Sequence, residues 1–124
     1  MTRREFVEGA IGGIGLTLGG RRNVERFGMF GRVVAQPGQR DTLVQHLLKA
    51  AELVGNAPGC ELYVVYTSLA EPDVVWVTEA WRSKADHDAS LSLPGVRELI
   101  GKARPLIASV GEPIITTPVG GKGL

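Results

Sequence analysis

The stretch WVTEAWRSKADHDASL, residues 76–91, contains the side chains best suited to proton-transfer chemistry in this chain of 124 residues. Glu79 and His87 lie on either side of Trp81 in this stretch. An imidazole titrates near neutral pH, and burial of a carboxyl group favours its neutral form, so either side chain could exchange a proton with a bound hydroxyl compound. The alternative is ordinary packing, in which His87 is a solvated helix residue paired with a neighbouring aspartate, Asp86 or Asp88.

Side-chain alternation divides the predicted strand 74–81 into two faces. Val77, Glu79 and Trp81 share one face, and Trp76 lies on the other, where packing or a dimer contact is expected. If the first face meets the helices, Glu79 and Val77 contact a ligand there. If that face forms a dimer surface, Glu79 is instead an interface ion-pair partner. Trp81 is either a core or interface anchor or a wall against which an aromatic substrate stacks.

The two histidines are far apart in the sequence, and carboxylates do not cluster around either of them, so the metal signal is weak. His46 lies at the margin of an apolar helical stripe. It is either a partly buried core residue or a residue that lines the pocket from the opposite side. Cys60 is the single cysteine, which excludes an intrachain disulfide and favours a small buried apolar residue.

Length and composition indicate one domain with a modest core, since 44% of the residues are hydrophobic. There are 14 basic and 13 acidic residues, and five of the basic ones precede Phe27. The rest of the chain is nearly neutral, which argues against nucleic acid as a partner. We expect no membrane span, because no stretch approaches the roughly 20 apolar residues that one needs.

The N-terminal segment 1–26 differs in character from the rest of the chain. Thr2-Arg3-Arg4-Glu5-Phe6 precedes a mild, glycine-rich apolar run, and this arrangement resembles a twin-arginine export signal. Glu8 interrupts the run, and no A-x-A cleavage site follows. The alternative is a disordered or loosely helical extension. We therefore predict an extension over 1–26 and a domain over 27–124, with either an exported or a cytoplasmic location.

The elements that position these residues alternate between strand and helix patterns. Strands are predicted at 27–35, 60–69, 74–81 and 113–119. A helix follows Asp41 as its cap, a short helix follows Ser83, and a third begins at Pro94 and extends to Ile107, with a kink at Pro105. The order β-α-β-β-α-β predicts an α+β, ferredoxin-like fold, in which helices cover one face of an antiparallel sheet.

Four segments carry a resemblance to a known family: PGQRDTLVQHLLKAAELV, APGCELYVVYTS, VVWVTEAWRSKADHDASL and PGVRELIGKARPLIA. Together they resemble the antibiotic biosynthesis monooxygenase domain, in particular its quinol monooxygenase members. The resemblance implies a dimeric α/β barrel. It also implies oxidation of quinols or aromatic polyketides by molecular oxygen, with no metal, flavin or haem. Other members of the family degrade haem, and some only bind small metabolites.

The resemblance also suggests roles for particular residues. The polyketide oxygenases have an asparagine four residues before the strand-end tryptophan and a tyrosine six after it. These positions are Val77 and His87 here, and Ser90 occupies a further position where many members have histidine. His87 is then the expected base, with Trp81 as the stacking wall. The alternatives are a non-catalytic ligand-binding or stress-response protein of the same fold, and a haem-degrading enzyme with His87 as the iron ligand.

Overall fold

The structure is a computed structural model that describes residues 25–124. The twin-arginine-like stretch lies outside the described residues, and the domain boundary after residue 26 stays a prediction. Within residues 25–124, no helix combines the length and apolar character that crossing a membrane requires.

The described chain forms five strands and three α-helices. In chain order these are β1 (Phe27–Ala35), α1 (Arg40–Gly55), β2 (Cys60–Thr67), β3 (Val74–Trp81), α2 (Lys84–Ser90), α3 (Pro94–Ala103), a 3₁₀ turn (Arg104–Leu106), β4 (Ile107–Val110) and β5 (Ile114–Thr116). The sheet is antiparallel with the order β2-β3-β1-β4, and β5 also pairs with β1. The predicted α+β, ferredoxin-like fold is confirmed.

The helix starts follow from local hydrogen bonding. The amide of Leu43 donates to the carbonyl of Gln39 at 3.0 Å, so α1 begins one residue after Gln39, and the prediction of Asp41 as its cap was wrong. Asp41 instead lies in the first turn, where its negative charge suits the helix dipole. The prediction for α2 is confirmed, because the Ser83 hydroxyl accepts a hydrogen bond from the Asp86 amide at 3.1 Å.

The end of α3 differs from the prediction of a kinked helix that continues to Ile107. The helix ends at Ala103, and Ile107 begins β4. Pro105 accounts for this difference, since it lacks an amide hydrogen and its ring collides with the preceding helical turn. The last predicted strand, 113–119, is shorter in the structure and corresponds to β5 (Ile114–Thr116). β4 is an additional strand that was not predicted, and both strands pair with β1.

The helices cover the face of the sheet that carries Val75, Val77, Glu79 and Trp81. Val75 and Trp81 are fully buried there, and Val77 is 9% exposed. On the opposite face, strand register brings Phe30, Tyr66, Trp76 and Ile114 together, and three of these remain substantially exposed: Phe30, Tyr66 and Ile114. The core therefore occupies one side of the sheet and leaves an apolar surface on the other.

Candidate functional site

A cavity of about 110 Å³ lies between the helices and the covered face of the sheet. Its wall is mostly aliphatic, with contributions from α1, α3 and the loop after α2. The lining residues are His46, Leu47, Ala50, Val54, Tyr63, Glu79, Ser90, Leu91, Val96, Leu99, Ile100 and Ala103. A largely apolar pocket with a few converging polar groups is the usual form of a small-molecule site.

Glu79 places a carboxylate in the wall of this cavity. It lies on β3 opposite Tyr63 of β2, and its side chain is 14% exposed. The indole nitrogen of Trp81 donates a hydrogen bond to Glu79 Oε1 at 2.9 Å. This donor orients the carboxylate, and a carboxylate in its ionised form can accept a proton from a ligand.

Tyr63 is a polar cavity residue that the sequence reasoning missed. Tyr63 lines the cavity and lies opposite Glu79 in the register of β2 and β3, and its hydroxyl makes no hydrogen bond to another described residue. Burial, and then the nearby Glu79 carboxylate, raise the pKa of the Tyr63 hydroxyl above its usual range. The hydroxyl therefore remains a hydrogen-bond donor at neutral pH. Pairing the two predicted hairpin strands in register could have found it opposite Glu79.

His87 lies behind Glu79 and is absent from the cavity wall. The residue is 8% exposed, and its ring packs between Phe27 and Trp81, at centroid distances of 5.0 Å and 5.7 Å. Its Nε2 is 3.9 Å from Glu79 Oε1, which is too long for a hydrogen bond. Its Nδ1 is 2.9 Å from Asp88 Oδ1. His87 is therefore placed to act on Glu79 rather than on a ligand.

Two contacts fix the position of α2, which carries His87. The amide of Arg82 donates to the carbonyl of Gly59 at 2.7 Å, just before the helix. Gly59 has a φ of +83°, and a β-carbon there would collide with the carboxylate of Asp86. Only glycine suits both the backbone conformation and the close approach.

The other predicted site residues divide into two groups. His46 lines the cavity from α1, across from the sheet. Ser90, the last residue of α2, also lines it and donates a hydrogen bond to the His87 carbonyl at 2.6 Å. Trp81 and Val77 do not line the cavity. Trp81 is 0% exposed, and Val77 packs with the aliphatic core around Leu43. The ring faces of Trp81 are covered in this structure, so its clearest contact with the site is the hydrogen bond to Glu79.

Cys60 and the acidic and histidine side chains offer little for a metal. Within residues 25–124 there is no group of three or more His, Cys, Asp or Glu side chains arranged to hold a metal ion. Cys60 is half-buried and free, and burial followed by the charge of Glu79 raises the pKa of its thiol. The polar side chains of the cavity wall are accordingly the carboxylate of Glu79, the phenol of Tyr63, the imidazole of His46 and the hydroxyl of Ser90.

A family model and a solved structure relate this chain to the same family. A family model described as antibiotic biosynthesis monooxygenase matches residues 27–102. A solved structure from Chloroflexus aurantiacus, assigned to the antibiotic biosynthesis monooxygenases, is 46% identical with a TM-score of 0.72, over 77% of this chain and 95% of that one. No curated protein sequence matches the chain.

More distant structures share the fold alone. A Nitrosomonas europaea protein assigned to the same family is 11% identical with a TM-score of 0.72, over 79% of this chain and 94% of that one. One from Caulobacter crescentus is 22% identical with a TM-score of 0.67, over 80% and 92% of the two chains. The family model covers more than half of the sequence, and the Chloroflexus aurantiacus protein is similar over most of the domain. The chain therefore belongs to the antibiotic biosynthesis monooxygenase family.

Proposed function

We propose that this protein is a cofactor-independent monooxygenase that oxidises a small aromatic hydroxyl compound, of the quinol type, with molecular oxygen. The observation that carries the proposal is the polar pair Glu79 and Tyr63, which lies side by side in the wall of an otherwise apolar cavity. A carboxylate and a phenol are suited to accept a proton from one substrate hydroxyl and to donate a hydrogen bond to an oxygen atom.

Glu79 is the proposed base. Its carboxylate accepts the substrate hydroxyl proton, while Trp81 holds the carboxylate in place through the 2.9 Å hydrogen bond. The resulting phenolate is electron-rich enough to pass an electron to oxygen. Tyr63 donates a hydrogen bond to the substrate, and the aliphatic residues of α1 and α3 surround the ring. Exclusion of water by this apolar wall strengthens both polar interactions.

The reaction balances without an external reductant. A hydroquinone reacts with one oxygen molecule to give a hydroxyquinone and one water molecule. One oxygen atom replaces a ring hydrogen, the other leaves in water, and the ring and its two hydroxyl groups supply the electrons. The equation balances without a cofactor, and oxygen is the only co-substrate.

The volume of the cavity favours a substrate with one ring. An engineered apolar cavity of about 150 Å³ in another protein holds benzene. At about 110 Å³, the cavity here is of comparable size and is far too small for a porphyrin or a three-ring polyketide. The size therefore argues against haem degradation, for which His87 would also have to face the cavity.

A homodimer is the proposed assembly. Phe30 and Trp76 stack on the uncovered face of the sheet with a centroid distance of 5.2 Å, beside the exposed Tyr66 and Ile114. An apolar sheet face of this kind needs cover. A second copy of the chain, packed face to face, would supply it and would complete the barrel expected for this family.

The test is oxidation of a panel of one-, two- and three-ring quinols by the full chain under ¹⁸O₂, with products identified by mass spectrometry. The proposal predicts incorporation of one labelled atom into a one-ring product, and labelled water as the second product. Saturable quinol binding without oxygen uptake would instead favour the ligand-binding alternative. Absence of both binding and uptake for every quinol would contradict the proposal.

A further inference from the structure

Three side chains form a line from the cavity wall to solvent. Glu79 lines the cavity, His87 lies directly behind it with its side chain 10% exposed, and Asp88 is 51% exposed at the surface. The imidazole thus lies between two carboxylates, with Nε2 3.9 Å from Glu79 Oε1 and Nδ1 2.9 Å from Asp88 Oδ1. The proposed function uses Glu79 and leaves the other two residues without a role.

The contact with Asp88 determines which ring nitrogen of His87 carries the proton. An ionised carboxylate only accepts hydrogen bonds, so the 2.9 Å contact places the hydrogen of the neutral imidazole on Nδ1. Lys84 holds the other carboxylate oxygen, Oδ2, at 2.8 Å. Lys84, and then His87, hold the pKa of Asp88 below its usual range, so this carboxylate remains ionised. The lone pair of His87 is therefore on Nε2, the nitrogen that faces Glu79.

The other titratable groups around Glu79 do not compete with His87 for a proton carried by Glu79. Tyr63 and Cys60 on β2 are neutral donors whose pKa values are raised by burial and by Glu79. His46 lies on α1, across the cavity. Among the described residues that contact Glu79, His87 is therefore the acceptor behind it.

We propose that His87 stores the substrate proton while oxygen reacts with the substrate. This role rests on the proposed function of Glu79 as the base. The substrate hydroxyl passes its proton to Glu79, and a shift of about 1 Å brings the neutral carboxyl group within hydrogen-bond distance of Nε2. Transfer to Nε2 gives an imidazolium between two ionised carboxylates. When the second oxygen atom leaves as hydroxide, the proton returns through Glu79 and completes a water molecule. The number of protons is conserved, and no electron passes through His87.

This role is distinct from that of a catalytic residue, because His87 touches no substrate. It is a positioning and proton-holding residue that acts through Glu79. Phe27 and Trp81 hold its ring in the plane that aims Nε2 at the carboxylate, with Trp81 meeting the ring edge-on at an interplanar angle of 81°. A purely structural histidine could have the same tautomer, but it would not change its protonation when a ligand binds.

The first measurement is nitrogen-15 NMR of the histidine rings in the full chain. The two histidines give few signals, so His46 serves as an internal comparison. In the free protein we expect neutral His87 to carry its proton on Nδ1, and we expect Asp88→Ala to shift the proton towards Nε2. Arg82→Met removes the ion pair between Arg82, just before α2, and Asp86 in the first turn of that helix. It is the matched control, with no change in tautomer. A proton on Nε2 in the unmodified protein would overturn the proposal.

The second measurement adds hydroquinone without oxygen, so that the reaction stops after proton transfer. The proposal predicts that both nitrogens of His87 become protonated and that those of His46 do not. If His87 remains neutral with hydroquinone bound, the proposal that His87 stores the proton is overturned, while the proposed function stays intact. If no quinol binds, the proposed function fails, and the tautomer in the free protein then decides whether His87 is poised to accept a proton.

With oxygen present, His87→Ala should lower kcat at least tenfold with less than a twofold change in KM, and added imidazole should restore part of the loss. Asp88→Ala tests the same route at an exposed position that does not open the core, and it should lower kcat severalfold. Arg82→Met should leave kcat unchanged. Equal kcat values in His87→Ala and the unmodified protein would overturn the proposal.

Discussion

The indole nitrogen of Trp81 donates a hydrogen bond to Glu79 Oε1 at 2.9 Å, although the two residues are separated by only one position on the same strand. Residues with this spacing point to the same face of a strand. The fully buried ring thus reaches back along β3 and holds the carboxylate in the cavity wall. The strand-end tryptophan, which the family resemblance suggests as a stacking wall, is in this structure a support for the proposed base.

The energetic coupling between Trp81 and Glu79 can be measured by a double-mutant cycle. Trp81→Phe removes the donor and leaves a nearly buried carboxylate with less stabilisation. We expect a loss of about 2–4 kcal/mol in the free energy of unfolding, from the lost hydrogen bond and the smaller ring. In a Glu79→Gln background the same change should be at least about 1 kcal/mol less damaging, because no charge is left unpaired. Equal losses by urea denaturation in both backgrounds would contradict the coupling.

The buried Tyr63 hydroxyl predicts a loss of stability at alkaline pH. Its pKa is raised in the folded state, so its contribution is fully present below the unfolded value of about 10 and declines as pH rises above it. We expect the free energy of unfolding to fall between about pH 10 and 11, and Tyr63→Phe to reduce this fall. Tyr66→Phe, exposed on the other sheet face, is the matched control and should retain the full decline.

Filling the cavity should prevent ligand binding without changing any polar group. Ala50 lines the cavity from α1, and Ala50→Leu adds three carbon atoms to a space that holds about one ring. We expect affinity for a one-ring phenol, measured by titration calorimetry, to fall at least tenfold. Ala89→Leu makes the same change at an exposed helix position and should have no effect. Unchanged binding to Ala50→Leu would mean that the phenol occupies another site.

The proposed dimer is tested on the uncovered face of the sheet. Trp76 lies in the centre of that face, between Phe30 and the guanidinium of Arg32, which lies 6.0 Å from the Trp76 ring centroid. A charge buried there without a partner is strongly unfavourable. Light scattering should give twice the chain mass for the unmodified protein and the single-chain mass for Trp76→Glu. Leu48→Glu, at an exposed position on α1, should remain dimeric. A monomeric unmodified protein would contradict the proposed assembly.

The fold could be predicted from sequence because each element has a local signal. The alternation in β3, the Ser83 cap of α2 and the proline at the start of α3 each identify an element that the structure contains. Helix ends were less predictable. The sequence pattern predicted that Ile107 lies in a helix, because its spacing fits the apolar stripe. In the structure, Pro105 ends the regular helical hydrogen bonding before Ile107 is reached.

The site could be predicted only in part. Strand alternation correctly grouped Val77, Glu79 and Trp81 on one face, but it could not show which of them borders open space. Which residue borders open space depends on how α1 and α3 pack against the sheet, and this tertiary packing has no local sequence signal. The helices cover Val77 and Trp81 and leave a gap at Glu79. Tyr63 enters the site only through the register between β2 and β3.

The role of Glu79 as the base is tested by oxygen uptake of the full chain with a one-ring quinol, comparing the unmodified protein with Glu79→Gln. Glutamine keeps an oxygen that can accept from Trp81, so the fold and the cavity should be preserved, but it cannot take a proton. A positioned general base contributes about 10²–10⁴-fold, so we expect Glu79→Gln to lower kcat at least about a hundredfold. Glu79→Gln that is folded and binds the quinol, yet consumes oxygen at the unmodified rate, would contradict the assignment of Glu79 as the base.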